Sequence, residues 1–273
     1  MSVITISRQL GSLGTEIAQA VAVDLHYQLV DKERIGEALA VCGLPQREVE
    51  RLDEKSPPFW DSWSSDRKRF FHYLQMTVYD FAHQNNVVIV GRGGQILLKD
   101  LPGVLHVRVV APFEVRVRRI MGKGGMDEKQ AVRRLKRSDQ DSAGFIRAFF
   151  SMGWEDPNLY DLVINTQKLS ADTGVKMILE SVRSAEIQEG EVQGAEKLAD
   201  LVLHQKVESA IMSIVGPGSV DVNIRVEEGV VTLEGAVTSG VNKENCERAA
   251  ASIEGVKKVN NLLSLAQYYR YSA

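Results

Sequence analysis

The sequence predicts an α/β protein: a doubly wound parallel sheet with helices on both faces, followed by a small α+β domain. Near-continuous apolar runs such as Val3–Ser7, Asn86–Val90 and Val104–Val110 alternate with helical patterns, as strands buried on both faces require. The composition turns polar, acidic and glycine-bearing at Glu186–Lys197. Beyond it, Val220–Val226 alternates with the period of a half-buried strand, which indicates a second domain.

Length and charge limit the possible functions. A chain of 273 residues suits about two domains. Its 44% hydrophobic and 25% charged residues are those of an ordinary globular protein. Nucleic-acid binding depends on many cations that neutralise phosphates, so a formal net charge of −3 argues against a nucleic-acid partner.

Cysteine usage and the N-terminus favour a cytoplasmic protein. Cys42 and Cys246 lie far apart without metal-ligand spacing, which suits reduced thiols better than a disulfide framework. We find no basic segment followed by an apolar one at the N-terminus, and no apolar run of the roughly 20 residues that span a bilayer.

The stretch Val3–Ala18 joins an apolar strand, a glycine-containing turn and the start of a helix. This arrangement directs backbone N–H groups and a helix dipole at one point, where a phosphate can bind. Against the pattern G-x-x-x-x-G-K-[ST], Arg8 and Leu13 replace the glycines, Gly14 replaces the lysine, and Thr15 keeps the hydroxyl. The stretch is either a degenerate phosphate-binding loop (P-loop) or an ordinary strand-turn-helix entry.

The first domain alternates strands and helices in chain order, which predicts about five parallel strands. The predicted strands are Val3–Ser7, Tyr27–Val30, Asn86–Val90, Val104–Val110 and Asp161–Asn165, and the predicted helices are Thr15–Leu25, Ile35–Cys42, Phe70–Gln84, Glu114–Met121, one from about Asp127, and Ala171–Ser184.

Charged side chains collect where these strands end. In such sheets, chemistry occurs just beyond the carboxyl ends of strands, where Asp31 and Arg92 lie. Arginine forks suit phosphoryl transfer because they are planar and bidentate, although a solvated helix face is the alternative. Further arginines follow, namely Arg116, Arg118, Arg119, Arg133, Arg134 and Arg137.

An aromatic cluster in SPPFWDSW has two interpretations. Two prolines break regular structure there, and Phe59, Trp60 and Trp63 lie close together. The cluster either plugs a loop or forms a wall against a nucleotide base.

The first 187 or so residues resemble the cytidylate kinase-like family, a branch of the P-loop nucleoside monophosphate kinases. Several blocks in the right order carry this resemblance. They are ITISRQLGSLGTEIA near the start, LVDKE at Leu29–Glu33, VGRGG at Val90–Gly94, HVRVVAPFEVRVRRI at His106–Ile120, RSDQDS at Arg137–Ser142 and GWEDPNLYDLVINT at Gly153–Thr166.

The resemblance implies a P-loop-type sheet that transfers the γ-phosphate of ATP, with Mg²⁺, to a pyrimidine nucleoside monophosphate such as CMP. Arg8, Gly11, Ser12, Gly14 and Thr15 would hold the donor phosphates, and the Thr15 hydroxyl would be available to the metal.

The same resemblance assigns roles to later residues. Arg92 would contact the acceptor phosphate and act in catalysis, and Asp31 would lie near the acceptor. Arg116, Arg119, Arg133 and Arg137 would form a lid over the donor, with Arg133 and Arg137 catalytic and Asp139 and Asp141 in its acidic run.

Two departures from the family predict weak turnover. Leu13 replaces a glycine, and its branched side chain should hinder close approach of the backbone to phosphate. Thr15 stands where many members carry an arginine. The alternative function is therefore a nucleotide sensor with little or no activity.

The C-terminal part resembles a BON domain. VNIRVEEGVVTLEGAVTS and IEGVKKVNNLLS carry this resemblance, in the order αββαβ. We predict a kinase-like domain at 1–187, a linker at 188–197 and a BON-like domain at 198–267. The resemblance implies binding to a phospholipid membrane surface or a protein partner; self-association is a third possibility.

Overall fold

The computed structural model describes residues 2–42, 44, 65–215 and 222–266. The chain divides into two compact units, Met1–Gly194 and Ala195–Ala273. The aromatic cluster in SPPFWDSW and the segment GPGS, which the sequence predicts to be a turn, lie outside the described residues.

A five-stranded parallel sheet organises the first unit, as the alternating pattern predicts. Its strand order is β2-β3-β1-β4-β5. β1 lies at the centre and pairs with β3 and β4, with Ile4 opposite Val88 and Leu105. The strands are β1 Val3–Arg8, β2 Gln28–Val30, β3 Val87–Val90, β4 Val104–Val110 and β5 Leu162–Asn165.

Helices cover both faces of this sheet. Ile4 and Ile6 of β1 pack with the first and seventh helices through residues such as Ile17 and Ile178. Ser7 of β1 lies on the opposite face, where its Oγ accepts a hydrogen bond from Trp154 Nε1 at 2.9 Å. The helices are α1 Gly14–Leu25, α2 Lys32–Val41, α3 Ser65–His83, α4 Gly94–Leu97, α5 Phe113–Gly124, α6 Glu128–Phe150 and α7 Ala171–Val182.

The segment predicted to be a linker, 188–197, lies within a helix. α8 runs without interruption from Ala185 to Val215 and contains the boundary between the two units. The segment is rich in Gln, Glu, Ala and Lys, which are strong helix formers, so the two glycines do not break the helix. Gly190 also permits a close contact, because a Cβ there would lie 2.5 Å from Gly103 N.

The second unit is a small mixed sheet covered by helices. β6 pairs antiparallel with β7, whereas β8 and β9 pair parallel with β7. The core contains Val207, Ile211 and Leu233, together with the buried free thiol of Cys246. Its elements after α8 are β6 Val222–Glu227, β7 Val230–Val237, α9 Gly240–Ala251, β8 Lys258–Asn261 and β9 Ser264–Leu265. Among the described helices of the whole chain, none has the length and apolar character needed to cross a membrane.

Candidate active site at the carboxyl edge of the parallel sheet

The loop from Gln9 to Leu13 connects β1 to α1 and turns its carbonyl groups into the protein. Gln9 O accepts hydrogen bonds from Ser12 N at 3.2 Å and from Ser12 Oγ at 2.8 Å. Leu13 O accepts from Ile17 N at 2.9 Å as α1 begins. The Ser12 side chain is fully buried, so it shapes the loop instead of facing a cavity.

Side chains from distant segments bind the three carbonyl groups between Gln9 and Leu13, which belong to Leu10, Gly11 and Ser12. Their donors come from α5 and from the residue after β5, so the loop is fixed from outside its own sequence. Arg116 Nη1 donates to Leu10 O at 3.4 Å, Arg119 Nη1 to Gly11 O at 3.2 Å, and Thr166 Oγ1 to Ser12 O at 2.8 Å.

Four N–H groups of this loop and of the start of α1 lack such partners among the described residues. Within the part of the chain that the structure describes, Gly11 N, Leu13 N, Gly14 N and Thr15 N donate to no protein acceptor. Gly14 and Thr15 begin α1, where the helix dipole is positive. A loop whose carbonyl groups are satisfied and whose N–H groups are available is a site for anionic oxygen.

Leu13 adopts the backbone conformation of the glycine that it replaces. Its φ is 67° and its ψ is 10°, in the left-handed region that a β-carbon disfavours. Its side chain packs partly against the core that contains Ile17. The loop therefore keeps its turn despite the substitution, at the cost of local strain.

Arg8 lies at the end of β1 and packs between two glycines. A Cβ on Gly14 would lie 2.4 Å from Arg8 Cβ, and a Cβ on Gly91 would lie 3.3 Å from Arg8 Nη1. The stem of Arg8 therefore occupies the space that any side chain at position 14, including the lysine of the full pattern, would need.

The Arg8 guanidinium is a buried cation with unused hydrogen-bonding capacity. Its Nε is buried and has no hydrogen-bond partner among the described residues. Burial lowers the pKa of Arg8, and the positive charge of Arg92 lowers it further, whereas Glu33 and Asp31 oppose both effects. Two arginines whose charges repel, one of them with an unpartnered donor, form a site that an anion would stabilise.

Arg92 lies in a left-handed turn at the end of β3. Gly91, Arg92 and Gly93 have φ values of 78°, 56° and 73°. Three consecutive residues in this region turn the chain sharply before α4, and only Gly91 and Gly93 adopt it without strain. A Cβ on Gly93 would also meet the Phe150 ring at 2.4 Å.

Two adjacent cavities open at this edge of the sheet. The loop cavity, about 370 Å³, lies at the start of α1, and the arginine cavity, about 430 Å³, lies beyond β1 and β3. Four residues line both cavities, namely Arg8, Leu10, Ser138 and Ser142. The two cavities thus meet at Arg8, and the volume of each lies within the range of small-molecule sites.

Many predicted site residues line these cavities. The loop cavity contains Arg8, Gly11, Gly14, Thr15 and Arg119. The arginine cavity contains Arg8, Arg92, Arg137 and Asp141, and Arg137 Nε lies 3.7 Å from Asp141 Oδ2.

Other predicted site residues have structural contacts instead. The Asp31 carboxylate caps α2 by accepting from Arg34 N at 3.0 Å. Arg116 is buried and pairs bidentately with Asp139, with Nη–Oδ distances of 3.0 and 2.8 Å. Arg133 is exposed and its Nε donates to Lys129 O at 3.4 Å. None of these four lines either cavity.

The sequence interpretation missed several lining residues. Arg134, Ser138 and Phe145 were missed; together with the predicted Arg137 and Asp141 they share one face of α6, which forms a wall of the arginine cavity. Counted from Arg134, the other four lie three, four, seven and eleven residues further on, a helical spacing that could have revealed this face in the sequence. Other missed residues are Lys32 and Trp154 in the arginine cavity and Lys123 in the loop cavity.

The site fits a phosphorylated ligand better than an isolated metal ion. The available N–H groups and Arg8 are donors, and donors suit phosphate oxygens. Across the described residues, no group of three His, Cys, Asp or Glu side chains could hold a metal ion. Mg²⁺ would therefore depend on the ligand's phosphate oxygens, water and the Thr15 hydroxyl.

Comparisons with known proteins agree with this geometry. The model of the cytidylate kinase-like family matches residues 3–168, and the model of the BON domain matches residues 199–267. A cytidylate kinase of Archaeoglobus fulgidus is 27% identical over 187 residues, which cover 68% of this chain and 97% of the relative.

Two further similarities cover parts of the chain. A uronate isomerase of Corynebacterium glutamicum is 31% identical over 94 residues, and the match spans 34% of this chain and only 18% of that relative's length. The crystal structure of an uncharacterized protein from Eubacterium ventriosum matches with 26% identity and a TM-score of 0.53, covering 66% of this chain and 97% of that one. The family matches and the parallel sheet together show that the chain belongs to the cytidylate kinase-like family and carries a C-terminal BON domain.

Proposed function

We propose that the first unit is a nucleoside monophosphate kinase that transfers the γ-phosphate of ATP to a pyrimidine monophosphate such as CMP. The observation that carries this proposal is the position of Arg8, which lines both cavities and has a buried Nε without an acceptor among the described residues. A guanidinium between two anion sites can stabilise the charge on a phosphoryl group as it moves from one to the other.

The loop cavity would hold the donor. The N–H groups of Gly11, Leu13, Gly14 and Thr15 would bind its phosphates, and Arg119 lies in the same wall. Mg²⁺, when bound with the nucleotide, neutralises phosphate charge, and the Thr15 hydroxyl would be the side chain that contacts it.

The arginine cavity would hold the acceptor. Arg92 and Lys32 offer positive charge to its phosphate, while Phe145 and Trp154 supply apolar surface for the rest of the molecule. Arg134 and Arg137, on the wall formed by α6, would add charge over the transferred group. Holding donor and acceptor on either side of Arg8 converts a bimolecular step into an oriented one.

The test is a phosphoryl-transfer assay on the purified chain. Incubation with ATP, Mg²⁺ and each nucleoside monophosphate should yield a diphosphate, with the largest yield from CMP. Arg92→Ala should raise the KM for the acceptor and leave the KM for ATP nearly unchanged, because Arg92 lines only the arginine cavity. No diphosphate above the enzyme-free blank from any monophosphate would overturn the proposal.

A nucleotide sensor is the second candidate, and the strained Leu13 favours it. At φ 67°, Leu13 holds the loop in a conformation that glycine adopts freely, and its side chain lines the loop cavity. A chain that binds ATP tightly by calorimetry and forms no diphosphate would support the sensor over the kinase.

For the BON domain we propose a docking role at a phospholipid surface or a protein partner. Val241, Leu262 and Leu265 are apolar side chains that are 65%, 62% and 56% exposed. Co-sedimentation with phospholipid vesicles, by the wild-type chain but not by Leu262→Ser, would support the membrane. A wild-type chain that stays in the supernatant would favour the protein partner.

A further inference from the structure

The phosphate-binding loop is shaped by three side chains that lie far from it in sequence. Arg116, Arg119 and Thr166 donate to the carbonyl groups of Leu10, Gly11 and Ser12 in succession. We name these three donors the carbonyl clamp. Because the C=O and N–H of one planar trans peptide group point in opposite directions, holding the carbonyl groups of Leu10 and Ser12 turns the N–H groups of Gly11 and Leu13 away from the clamp.

Thr166 is the centre of the carbonyl clamp. It is fully buried, and its Oγ1 donates to Ser12 O at 2.8 Å and accepts from Arg119 Nη1 at 2.9 Å. Arg119 Nη2 also donates to Thr166 O at 2.7 Å. One hydroxyl therefore connects the loop, α5 and the end of β5.

Arg116 connects the loop to the helix that lines both cavities. Its guanidinium donates to Ala111 O at 3.2 Å, reaches Leu10 O, and is held bidentately by Asp139 of α6. Gly11 permits this packing, because a Cβ there would lie 3.2 Å from Arg116 Cβ. The Asp139 carboxylate thus fixes Arg116 against the loop in a geometry with two parallel hydrogen bonds.

We propose that the carbonyl clamp is a set of positioning residues that compensates for the glycine that Leu13 replaces in the loop. This inference rests on the proposed function, since it assigns the clamp to donor-phosphate binding. A loop with Leu13 in the left-handed region is strained, and the clamp supplies the external contacts that hold it there. Thr166, which the resemblance placed only within a matching block, becomes a determinant of nucleotide affinity.

The experiment compares three valine or serine variants of the full chain. Thr166→Val removes the hydroxyl with little change in volume, whereas Thr166→Ser retains it. Thr5→Val is the matched control, because Thr5 is equally buried in β1 and hydrogen-bonds His106 Nδ1 at 2.7 Å but lines neither cavity. Calorimetry with ADP and Mg²⁺ and with inorganic pyrophosphate gives the affinities, and a thermal melt gives the stability.

Thr166→Val should weaken ADP and pyrophosphate binding about tenfold, the effect of about one lost hydrogen bond. CMP affinity should change less than about twofold, since the acceptor lies in the other cavity. Thr166→Ser should bind ADP within about twofold of wild type, as one retained hydroxyl preserves the contact. Thr5→Val should lower the melting temperature about as much as Thr166→Val and leave ADP affinity unchanged.

Two results would overturn the proposals separately. If Thr166→Val binds ADP as tightly as the wild-type chain does, the proposal of the carbonyl clamp alone is overturned. Absence of ADP and pyrophosphate binding by the folded wild-type chain would overturn the proposed function, and the clamp with it. Should Thr166→Val fail to fold, Thr166→Ala removes the same hydroxyl without placing a methyl group against Ser12 O, and the same affinities decide.

Discussion

Each unit contains a left-handed turn, and the two turns differ in whether a side-chain carboxylate of the chain accepts hydrogen bonds from their N–H groups. At Glu228 and Gly229, with φ of 50° and 78°, the Asp200 carboxylate accepts from both backbone N–H groups at 2.7 and 2.9 Å. At Leu13 and Gly14 no described side chain takes this role. The chain can supply a carboxylate to such a turn, and under the proposed function an anion from outside the protein takes the corresponding position at the first turn.

The largest expected effect concerns the cation between the cavities. Arg8→Ala should lower kcat/KM for phosphoryl transfer by at least about a hundredfold, the typical loss when one preorganised electrostatic donor is removed. Steady-state kinetics measure it. Arg118→Ala, an exposed arginine on α5 that lines neither cavity, is the control and should retain wild-type kinetics. A loss of less than about tenfold in Arg8→Ala would contradict a direct role in transfer.

A second prediction concerns the turn at Glu228 and Gly229, whose N–H groups donate to the Asp200 carboxylate. Asp200→Ala should destabilise the turn at Glu228 and Gly229 by about 1–3 kcal/mol, because two N–H groups lose a charged acceptor. Amide hydrogen exchange at these two residues should accelerate, whereas ADP affinity should not change. Glu254→Ala, an exposed carboxylate of the same unit, should leave both unchanged. Slow exchange preserved in Asp200→Ala would show that the carboxylate is dispensable.

A third prediction separates the two units by pH. His106 is buried in β4, and this burial lowers its pKa, although the nearby Asp161 carboxylate opposes the shift. Near pH 6.5 the imidazole of His106 therefore binds a proton in the unfolded chain but not in the folded chain. The stability of the five-stranded unit should therefore fall as pH drops below 6.5, by at most about 1.4 kcal/mol per pH unit until the folded pKa is reached.

Thermal melts between pH 7 and pH 5 measure this loss. His106→Gln has no imidazole to protonate, so its melting temperature should depend less on pH than that of the wild-type chain. Parallel curves for the two proteins would contradict the assignment to His106.

The smallest expected effect concerns Leu13. Leu13→Gly removes left-handed strain of about 1 kcal/mol, but it also removes apolar packing and makes the unfolded chain more flexible. Stability should therefore change little, while ADP affinity should rise by about threefold as the backbone approaches phosphate more closely. Calorimetry and a thermal melt on the same variant measure both. Weaker ADP binding would mean that the leucine side chain itself contacts the nucleotide.

The sequence predicted most of the fold because hydrophobic periodicity and chain order determine it. β4 begins and ends at the predicted residues, and the alternation of strands with helices predicted the parallel sheet. α4 at Gly94–Leu97 was missed, since four residues carry too little periodicity. Residues 188–197, predicted to be a linker from their polar composition, are helical, because an exposed helix is as polar as a linker.

The site was predicted less completely, for a different reason. Motif matches identify which residues lie near the sheet edge, but side-chain partners decide their roles. Arg116 and Asp139 were both expected to contact ligands, yet each is the other's partner. Arg133 and Arg134 are neighbours in sequence, and the helical phase alone places Arg134 at the cavity and Arg133 in solvent. Such distinctions require three-dimensional contacts.

The central claim is that the N–H groups at the start of α1 bind phosphate. Backbone amide resonances of the ¹⁵N-labelled chain, followed while ADP and Mg²⁺ are added, test it most directly. We predict large shifts at Gly11, Leu13, Gly14 and Thr15 and none at Glu228 and Gly229, whose N–H groups already have the Asp200 carboxylate. Saturating ADP that leaves the four loop resonances in place would contradict the account.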